Sequence, residues 1–299
     1  MSGINTNRTN IVLPTEVSSE ILQKTQESSA VMELARRVTL PGRGLTFPMI
    51  TGDPEASWVD ETAAKPVSNP TLSTKVMQAY KLAVIVPFSD EFARDYAALY
   101  DALIARLPRA LAYKFDSTVF HGNAPGNNFD TFASVTAQSI SGNVTSPLYK
   151  ALVAADTDIS THGGISNGYA LSPQAKGELL GALDADGRPL FVNSVADGAV
   201  ARLLGQPAHY TKGAYKAGSA ASGNDPAVPD VIGFVGDWTQ ALYGTVEGVK
   251  IDMSNQATLT ISNQAVNLWE RNMFAVRAEI EVGFRADTSV FNKLTRTHV

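Results

Sequence analysis

The 299-residue chain contains no cysteine. That excludes disulfides, cysteine-ligated zinc, iron–sulfur clusters and thiol nucleophiles, and it fits a reducing cytoplasm. A basic surplus is missing too: 24 Lys+Arg stand against 29 Asp+Glu, a formal net charge of −5. A protein that grips nucleic acid over a wide face carries the opposite balance, so strong direct DNA binding is not expected. Nowhere do about 20 apolar residues run together, the length a helix needs to cross a bilayer. The polar start, Met1 to Arg8, leads into no apolar stretch of signal-peptide length. What is present is globular in composition, 44% hydrophobic and 18% charged. The length supports one large domain or two modest ones.

The motifs of common catalysts are also lacking. His121, His162, His209 and His298 are scattered, without a His-Glu-x-x-His or a carboxylate at ligand spacing, and each reads as a surface or loop histidine. Asp184 and Asp186 before Gly187 resemble the start of a calcium loop, but Val195 stands where that loop needs a glutamate, so a turn is expected. No Gly-x-x-x-x-Gly-Lys-Ser/Thr, Gly-x-Gly-x-x-Gly after a strand, or Gly-x-Ser-x-Gly elbow occurs. Glu279 and Glu281 would suit a general acid/base pair by spacing; salt bridging to Arg277, Arg285 or a neighbouring chain is the simpler reading. No catalytic residue, metal or cofactor is expected.

Residues 1–14 are polar and rich in Asn and Thr, and predict an extended arm. Pro14-Thr15-Glu16 predicts a helix start with Thr15 as N-cap, followed by Val17, Ile21 and Leu22 at roughly helical spacing. A second short helix is expected from Ser28 or Ser29 through Val31, Met32, Leu34 and Ala35, stopping before Pro41-Gly42. Leu45 to Ile50 predicts a strand that Pro48 confines to an edge or a bulge. Val76, Tyr80, Leu82, Val84 and Val86 alternate as one stronger strand. Between them run Pro54, Trp58, Pro66 and Pro70, the irregular tip of a two-stranded arm. Two strands alone are at best marginal in water, so the arm needs a surface, from its own body or from a neighbour. On such a tip Trp58 fits an aromatic anchor between subunits.

Ser89-Asp90-Glu91 opens the clearest helix, where Phe92, Tyr96, Leu99, Leu103, Leu107, Leu111 and Phe115 recur at three- and four-residue steps. Its two acids sit at the end the helix dipole favours, and it should end near His121-Gly122-Asn123. Pro108 interrupts the stripe; an interior proline costs about 3 kcal/mol, so a kink or break is expected there. Further on, Ser146-Pro147 predicts a helix through Leu148, Leu152 and Val153. Tyr169 to Leu171 predicts a strand into Ser172-Pro173, then a helix holding Leu179, Leu180 and Leu183. Residues 213–230, rich in Gly, Ala, Ser and Pro, predict a mobile loop, and Val231 to Asp237 a buried strand. The most regular element comes last. Phe274, Val276, Ala278, Ile280, Val282 and Phe284 alternate with Ala275, Arg277, Glu279, Glu281, Gly283 and Arg285, giving a strand with one apolar and one charged face.

Particular segments recur in a telling order. They are Leu13-Pro14-Thr15-Glu16-Val17 with Ile21-Leu22, Val31-Met32-Glu33-Leu34-Ala35, Phe47-Pro48, Trp58-Val59-Asp60-Glu61, and Val84-Ile85-Val86-Pro87-Phe88-Ser89-Asp90-Glu91. Asp116 with Phe120-His121-Gly122 follows, then Gly187-Arg188-Pro189-Leu190-Phe191, Leu203-Leu204-Gly205-Gln206-Pro207, Gly236-Asp237-Trp238, and Arg277-Ala278-Glu279 through Phe284-Arg285-Ala286-Asp287. In this collinear order, over nearly the whole chain, the sequence resembles the Hong Kong 97-type major capsid protein of tailed bacteriophages. The resemblance implies an α+β capsid fold: an N-terminal arm (1–37), an E-loop hairpin (38–88), a peripheral domain with a long spine helix (89–145 and 268–299) and an axial domain (146–267).

The resemblance also implies a function. The chain would be a major capsid protein, not an enzyme, self-assembling into hexamers and pentamers of an icosahedral shell around double-stranded DNA, without sequence-specific contact. It would reside in the virion after assembly in the host bacterial cytoplasm, with portal and scaffolding or decoration proteins as partners and no membrane. Contact between subunits is expected at Trp58, Lys65 and Lys75 of the hairpin and at Arg277, Glu279, Glu281 and Arg285 of the last strand. A short arm stands where some members carry a long cleaved scaffolding segment, so scaffolding would be separate or absent unless the chain is a processed one. No motif marks Lys65 or Lys75 for the lysine–asparagine cross-link of the type member. The alternative within the fold is an encapsulin, a compartment shell that typically begins with a helix; the polar run Ile4 to Asn10 favours a virus. From another class, an intracellular hydrolase would require a deep pocket converging on a histidine or carboxylate.

Overall fold

The computed structural model describes residues 29–42, 44–52, 56–59, 64–65, 67–68, 71–89, 96–141, 147–184, 186–191, 200–222, 225–261 and 263–298. The expected arm, the helix at Thr15 to Leu22, the helix opening at Asp90 to Phe92, and Ser146 lie outside them.

Helix α1 (Ala30–Leu34) is capped by Ser29, whose hydroxyl accepts from the Met32 amide. Strands β1 (Arg36–Thr39), β2 (Leu45–Gly52), β3 (Thr71–Met77) and β4 (Tyr80–Ser89) follow, then the long helix α2 (Tyr96–His121). Next come β5 (Thr136–Ser139), α3 (Pro147–Thr161), β6 (Gly168–Leu171), α4 (Pro173–Gly181), β7 (Arg202–Leu203), β8 (Gln206–Tyr210) and β9 (Asp230–Gly236). The chain closes with β10 (Ala241–Thr245), β11 (Lys250–Ser254), β12 (Thr258–Ile261), β13 (Gln264–Asn267), β14 (Met273–Ala286) and β15 (Phe291–Arg296).

Two larger sheets organise these elements. A five-stranded sheet runs β1-β10-β14-β11, with β4 on the other side of β14. A six-stranded sheet runs β5-β15-β9-β6-β8-β7. Pairing follows space and not chain order: β10 and β11 join β14, while β15 leaves β14 to lie between β5 and β9. The ranges 146–267 and 268–299 therefore each contribute strands to both sheets. The sheets meet at an aromatic cluster of Phe120 from α2, Phe234 from β9, Phe284 from β14 and Phe291 from β15, with Phe132 and Trp238, all of them buried. Phe132 stacks on Phe291 with centroids 4.3 Å apart, and Phe120 on Phe234 at 4.7 Å.

Three expectations are corrected. The alternation from Val76 to Val86 is two strands: β3 pairs with β2, whereas β4 pairs with β14 over a register from Tyr80↔Val282 to Ser89↔Met273. The partner changes at Met77, whose side chain is fully buried between them. Of the kink or break expected at Pro108, the break is absent: helix α2 runs on from Tyr96 to His121. The proline withdraws one backbone donor, but Leu107 and Leu111 on either side are buried against Ala278 and Ile280 of β14, and tertiary packing outweighs a local defect. Residues 213–230 are no featureless loop. Bridges Lys216↔Val231, Ser219↔Val228 and Ser222↔Asp225 zip the segment onto itself. At its base, buried Asp230 accepts from the Gly218 amide at 2.7 Å, from Arg296 at 3.1 Å and from His298 at 2.7 Å. Burial alone would raise that carboxyl, but these partners hold it down at about 2.

Candidate assembly surface

The β2–β3 ribbon runs in register from Leu45↔Met77 to Gly52↔Thr71, with an irregularity between Ile50 and Gly52. Among the described residues each of its strands pairs only with the other, so Pro48, opposite Thr74, sits on an edge, where a missing backbone donor is tolerated. Beyond the strands the apolar side chains are uncovered: Trp58 is 104% exposed and Val67 86%. Lys65 is exposed beside them. Large apolar groups left bare on a projecting ribbon mark a contact surface.

The root of the ribbon is the opposite of its tip. Gly244 of β10 and Gly283 of β14 face each other in register, and their missing side chains leave a hollow. A Cβ on Gly244 would come within 2.8 Å of the Met77 sulfur, and one on Gly283 within 2.6 Å of the Gln78 carbonyl oxygen. The hollow takes Met77 and Leu40, both buried. Gly44, at φ +89°, lets β2 begin there, where a Cβ would meet the Met77 carbonyl at 2.6 Å.

Arg285 then ties the ribbon down. Its Nε donates to the Val76 carbonyl at 2.7 Å and its Nη1 to Asp130 at 2.7 Å, while Nη2 donates to Asn128 Oδ1 at 3.0 Å and the Asn127 carbonyl at 3.3 Å. Lys75 Nζ donates to the Ala286 carbonyl at 2.8 Å and lies 3.6 Å from Asp130. Lys75 and Arg285, expected at subunit contacts, here clamp the hairpin to its own body.

The charged face of β14 pairs across the sheet. Arg277 meets Asp252 of β11 at 2.6 Å and Glu279 at 3.7 Å, and Lys81 of β4 lies 3.8 Å from Glu279 and 3.5 Å from Glu281. The hydrogen bond that Arg277 donates to Asp252, with the nearby Glu279 charge, raises its guanidinium pKa further. Glu279 thus sits between two cations, an arrangement for a charge ladder and not for proton transfer. Exposed pairs of this kind contribute about 0–1 kcal/mol each, and Arg277 and Glu281 keep open flanks.

The body also receives the end of the leading segment at one carboxylate that the sequence pattern did not single out for this role. Asp116 of α2, fully buried, accepts from Ser29 Oγ at 2.5 Å, from the amides of Ala30 and Val31 at 3.1 and 3.3 Å, and from Thr211 Oγ1 at 2.8 Å. Burial pushes its pKa up to about 6, against the lowering effect of those donors. Gly213 lies against it, and a Cβ there would come 2.6 Å from the Asp116 Cβ. The sequence marked Asp116 as an acid between Phe115 and Val119 and as one of the segments carrying the resemblance, without indicating its partners.

The histidines do not converge. His209 pairs with Glu33 at 2.8 Å, His298 with Asp230, and His162 with its own helix at the Asp158 carbonyl, 2.8 Å away. His121, expected at the surface, is half-buried beside the backbone of Gly213 and Tyr215, and burial lowers its pKa. Among the described residues no three of His, Asp and Glu gather as a metal site, and no helix is long and apolar enough to cross a membrane.

The phage capsid family matches residues 9–289 of this chain. The probable major capsid protein gp17 of Mycobacterium phage L5 is 28% identical over 298 residues, covering 95% of this chain and 89% of that protein. The major capsid protein of Staphylococcus phage 80alpha is 26% identical over 292 residues, covering 94% and 84% respectively. Among solved structures, a chain from Mycobacterium phage Ogopogo superposes with a TM-score of 0.72 at 18% identity, over 90% of this chain and 92% of that one. That last likeness is one of fold.

Proposed function

This chain belongs to the phage capsid family, and from that premise we propose that it closes an icosahedral shell of hexamers and pentamers around double-stranded DNA. It is a major capsid protein with the Hong Kong 97-type fold, a structural subunit and not an enzyme. The observation that carries the shell reading is Trp58, fully exposed on a ribbon whose root is bonded to the body. A subunit that holds such a tip out at a set angle presents it to the next copy. Each contact can be weak, because closure of the shell repeats it many times.

In this reading Trp58 and Lys65 from the hairpin, with Arg277 and Glu281 from β14, reach neighbours. Lys75, Glu279 and Arg285 keep the subunit in shape for that contact. The peripheral part comprises α2 with the five-stranded sheet, and the axial part the six-stranded sheet with α3 and α4. The acidic net charge suits DNA held by enclosure and not by a grip. Assembly in the host cytoplasm agrees with the lack of cysteine, and portal and scaffolding or decoration proteins complete the particle.

Electron microscopy of the purified, concentrated protein tests the proposal. Closed shells that protect DNA from nuclease are expected when the protein is taken from infected cells. A compact monomer at every concentration sinks it, and shells loaded with an enzyme in place of DNA turn the reading to an encapsulin.

A further inference from the structure

Charge is sorted to opposite sides of the five-stranded sheet. Leu107 and Leu111 seat one side of α2 on Ala278 and Ile280 of β14. The other face of β14 carries the Arg277, Glu279 and Glu281 ladder, where cations and carboxylates answer one another. The outward side of α2 has no such balance. Arg106, Arg109 and Lys114 are exposed on it. Residues 102–129 hold a single carboxylate, Asp116, and it is buried.

The segment after β8 lays a second basic row alongside. Lys212 shares a cleft with Arg109 and Tyr113. Gly213 fits against the helix, where a Cβ would come 2.6 Å from the Asp116 Cβ and 3.1 Å from the Ser117 amide nitrogen. The backbone of Gly213 and Tyr215 then reaches His121 at the helix end. Lys216 follows, near enough that its charge adds to burial in lowering the pKa of both His121 and Lys293. Residues 198–224 contain no acid at all. Among the described residues none of these six cations pairs with a carboxylate, and Lys293 donates to the Ala133 carbonyl. Glu33 of α1, whose helix docks on α2, is answered by His209 at 2.8 Å. Like charges held side by side repel, and an anion laid over them relieves the strain.

We propose that this face forms the inner wall of the shell and that the phosphate backbone of the packaged duplex lies along it. The inference rests on the capsid reading and adds which side of the subunit turns to the DNA. From Arg106 to His121 the helix rises roughly 22 Å at 1.5 Å per residue, the length of about six successive phosphates of one strand. A protein partner is the poorer occupant, because such a contact needs an apolar centre, and Tyr113 is the one large apolar side chain exposed here among the described residues. The contact is weak and blind to sequence. On a chain of net charge −5 it orients the wall, while closure of the shell keeps the DNA in.

Protein freed of nucleic acid is titrated with a short labelled duplex and followed by fluorescence anisotropy. Binding without sequence preference is expected, weakening steeply between about 50 and 200 mM salt. Arg109→Gln, Lys114→Gln, Lys212→Gln and Lys216→Gln together should lower the affinity at least about tenfold and flatten its salt dependence. Lys81→Gln with Lys250→Gln, on the far face of the sheet, should change it less than about twofold, since a Debye length of about 10 Å screens that face from the duplex. In DNA-filled particles, formaldehyde should join nucleotide to Lys114, Lys212 or Lys216 and not to Lys81 or Lys250. Equal losses in the two variants, or nucleotide on Lys81 and Lys250, overturn the proposal even though the shells themselves stand. Adducts of this face with another protein and never with nucleotide overturn it too, in favour of an acidic partner. Wild-type protein that forms no shells would instead strike the capsid reading. Should the fourfold variant melt early, Lys114→Gln and Lys216→Gln decide singly, each expected to reduce the salt slope by about 1.

Discussion

The aromatic cluster around Phe132 and the ribbon from Leu45 to Met77 handle apolar surface in opposite ways. In the first, Phe120, Phe132, Phe234, Phe284, Phe291 and Trp238 come from α2, β9, β14, the start of β15 and the turns between elements, and they bury one another inside a single chain. In the second, two strands satisfy each other's backbone and little else, and the tryptophan at the end meets only solvent. The body is finished when the subunit folds. In the proposed shell the ribbon is finished by contact with another copy, and the Arg285 clamp at Val76, Asn128 and Asp130 is the boundary between the two regimes.

If that division holds, damage to each region should have a different readout. Deleting residues 52–72 should abolish shell formation outright, seen by light scattering, while the subunit keeps its circular dichroism spectrum; normal shells from the deletion would erase the distinction. Phe132→Ala should do the reverse, lowering subunit stability by about 3–5 kcal/mol in denaturant melts, as expected for emptying a packed aromatic site.

A subtler measurement separates the carboxylates within the body. The Asp116 pKa is about 6 in the fold against an ordinary 3.8, so the folded protein keeps this proton to higher pH than the unfolded chain does. Its effect is therefore a gain in stability as pH falls from 7 through 6 towards 4, at most roughly 3 kcal/mol at about 1.4 kcal/mol per unit. Asp230 has the opposite sign. Held at about 2, it contributes stability above the ordinary value that is lost as pH falls through 2. Urea melts between pH 7 and 4 should show the gain flattened in Asp116→Asn; an unchanged slope would remove Asp116 from the account. The smallest effect belongs to the tip. Trp58→Ala should leave subunit stability within about 0.5 kcal/mol, as for an exposed site, yet lower the temperature at which particles come apart. A large change in the subunit alone would mean that Trp58 is covered at home.

Much of this was legible in the residues because it is periodic. The two-residue alternation of β14 and the apolar stripe of α2 announce which face is buried, and the structure places Ala278, Ile280 and Leu111 together as those patterns require. Ser172-Pro173 likewise marked the start of α4, where Ser172 caps the helix. The errors share a cause. Val76 to Val86 keeps one alternation across a change of partner, and nothing local records that Met77 is seized by the hollow at Gly244 and Gly283. The run 213–230 looks loose by composition, yet Asp230, Arg296 and His298, far apart in sequence, fasten it. In the candidate surface, Trp58 was readable as an uncovered aromatic on a polar turn. The inward assignment of Lys75 and Arg285 was not, because a charged side chain on a strand face carries no sign of where its partner will be.

The order of amino acids by itself determined the faces of α2 and β14, the bare tip of the ribbon and the exclusion of thiol and disulfide chemistry, since each depends on residue type and on spacing along one stretch of chain. Only the tertiary structure decided that Asp116 gathers Ser29 and Thr211, that Arg285 faces inward, and that Arg109 and Lys212 share a cleft. Those facts depend on distances between segments roughly 90 to 210 residues apart, and in a compact fold such distances are set by how all the buried side chains pack at once.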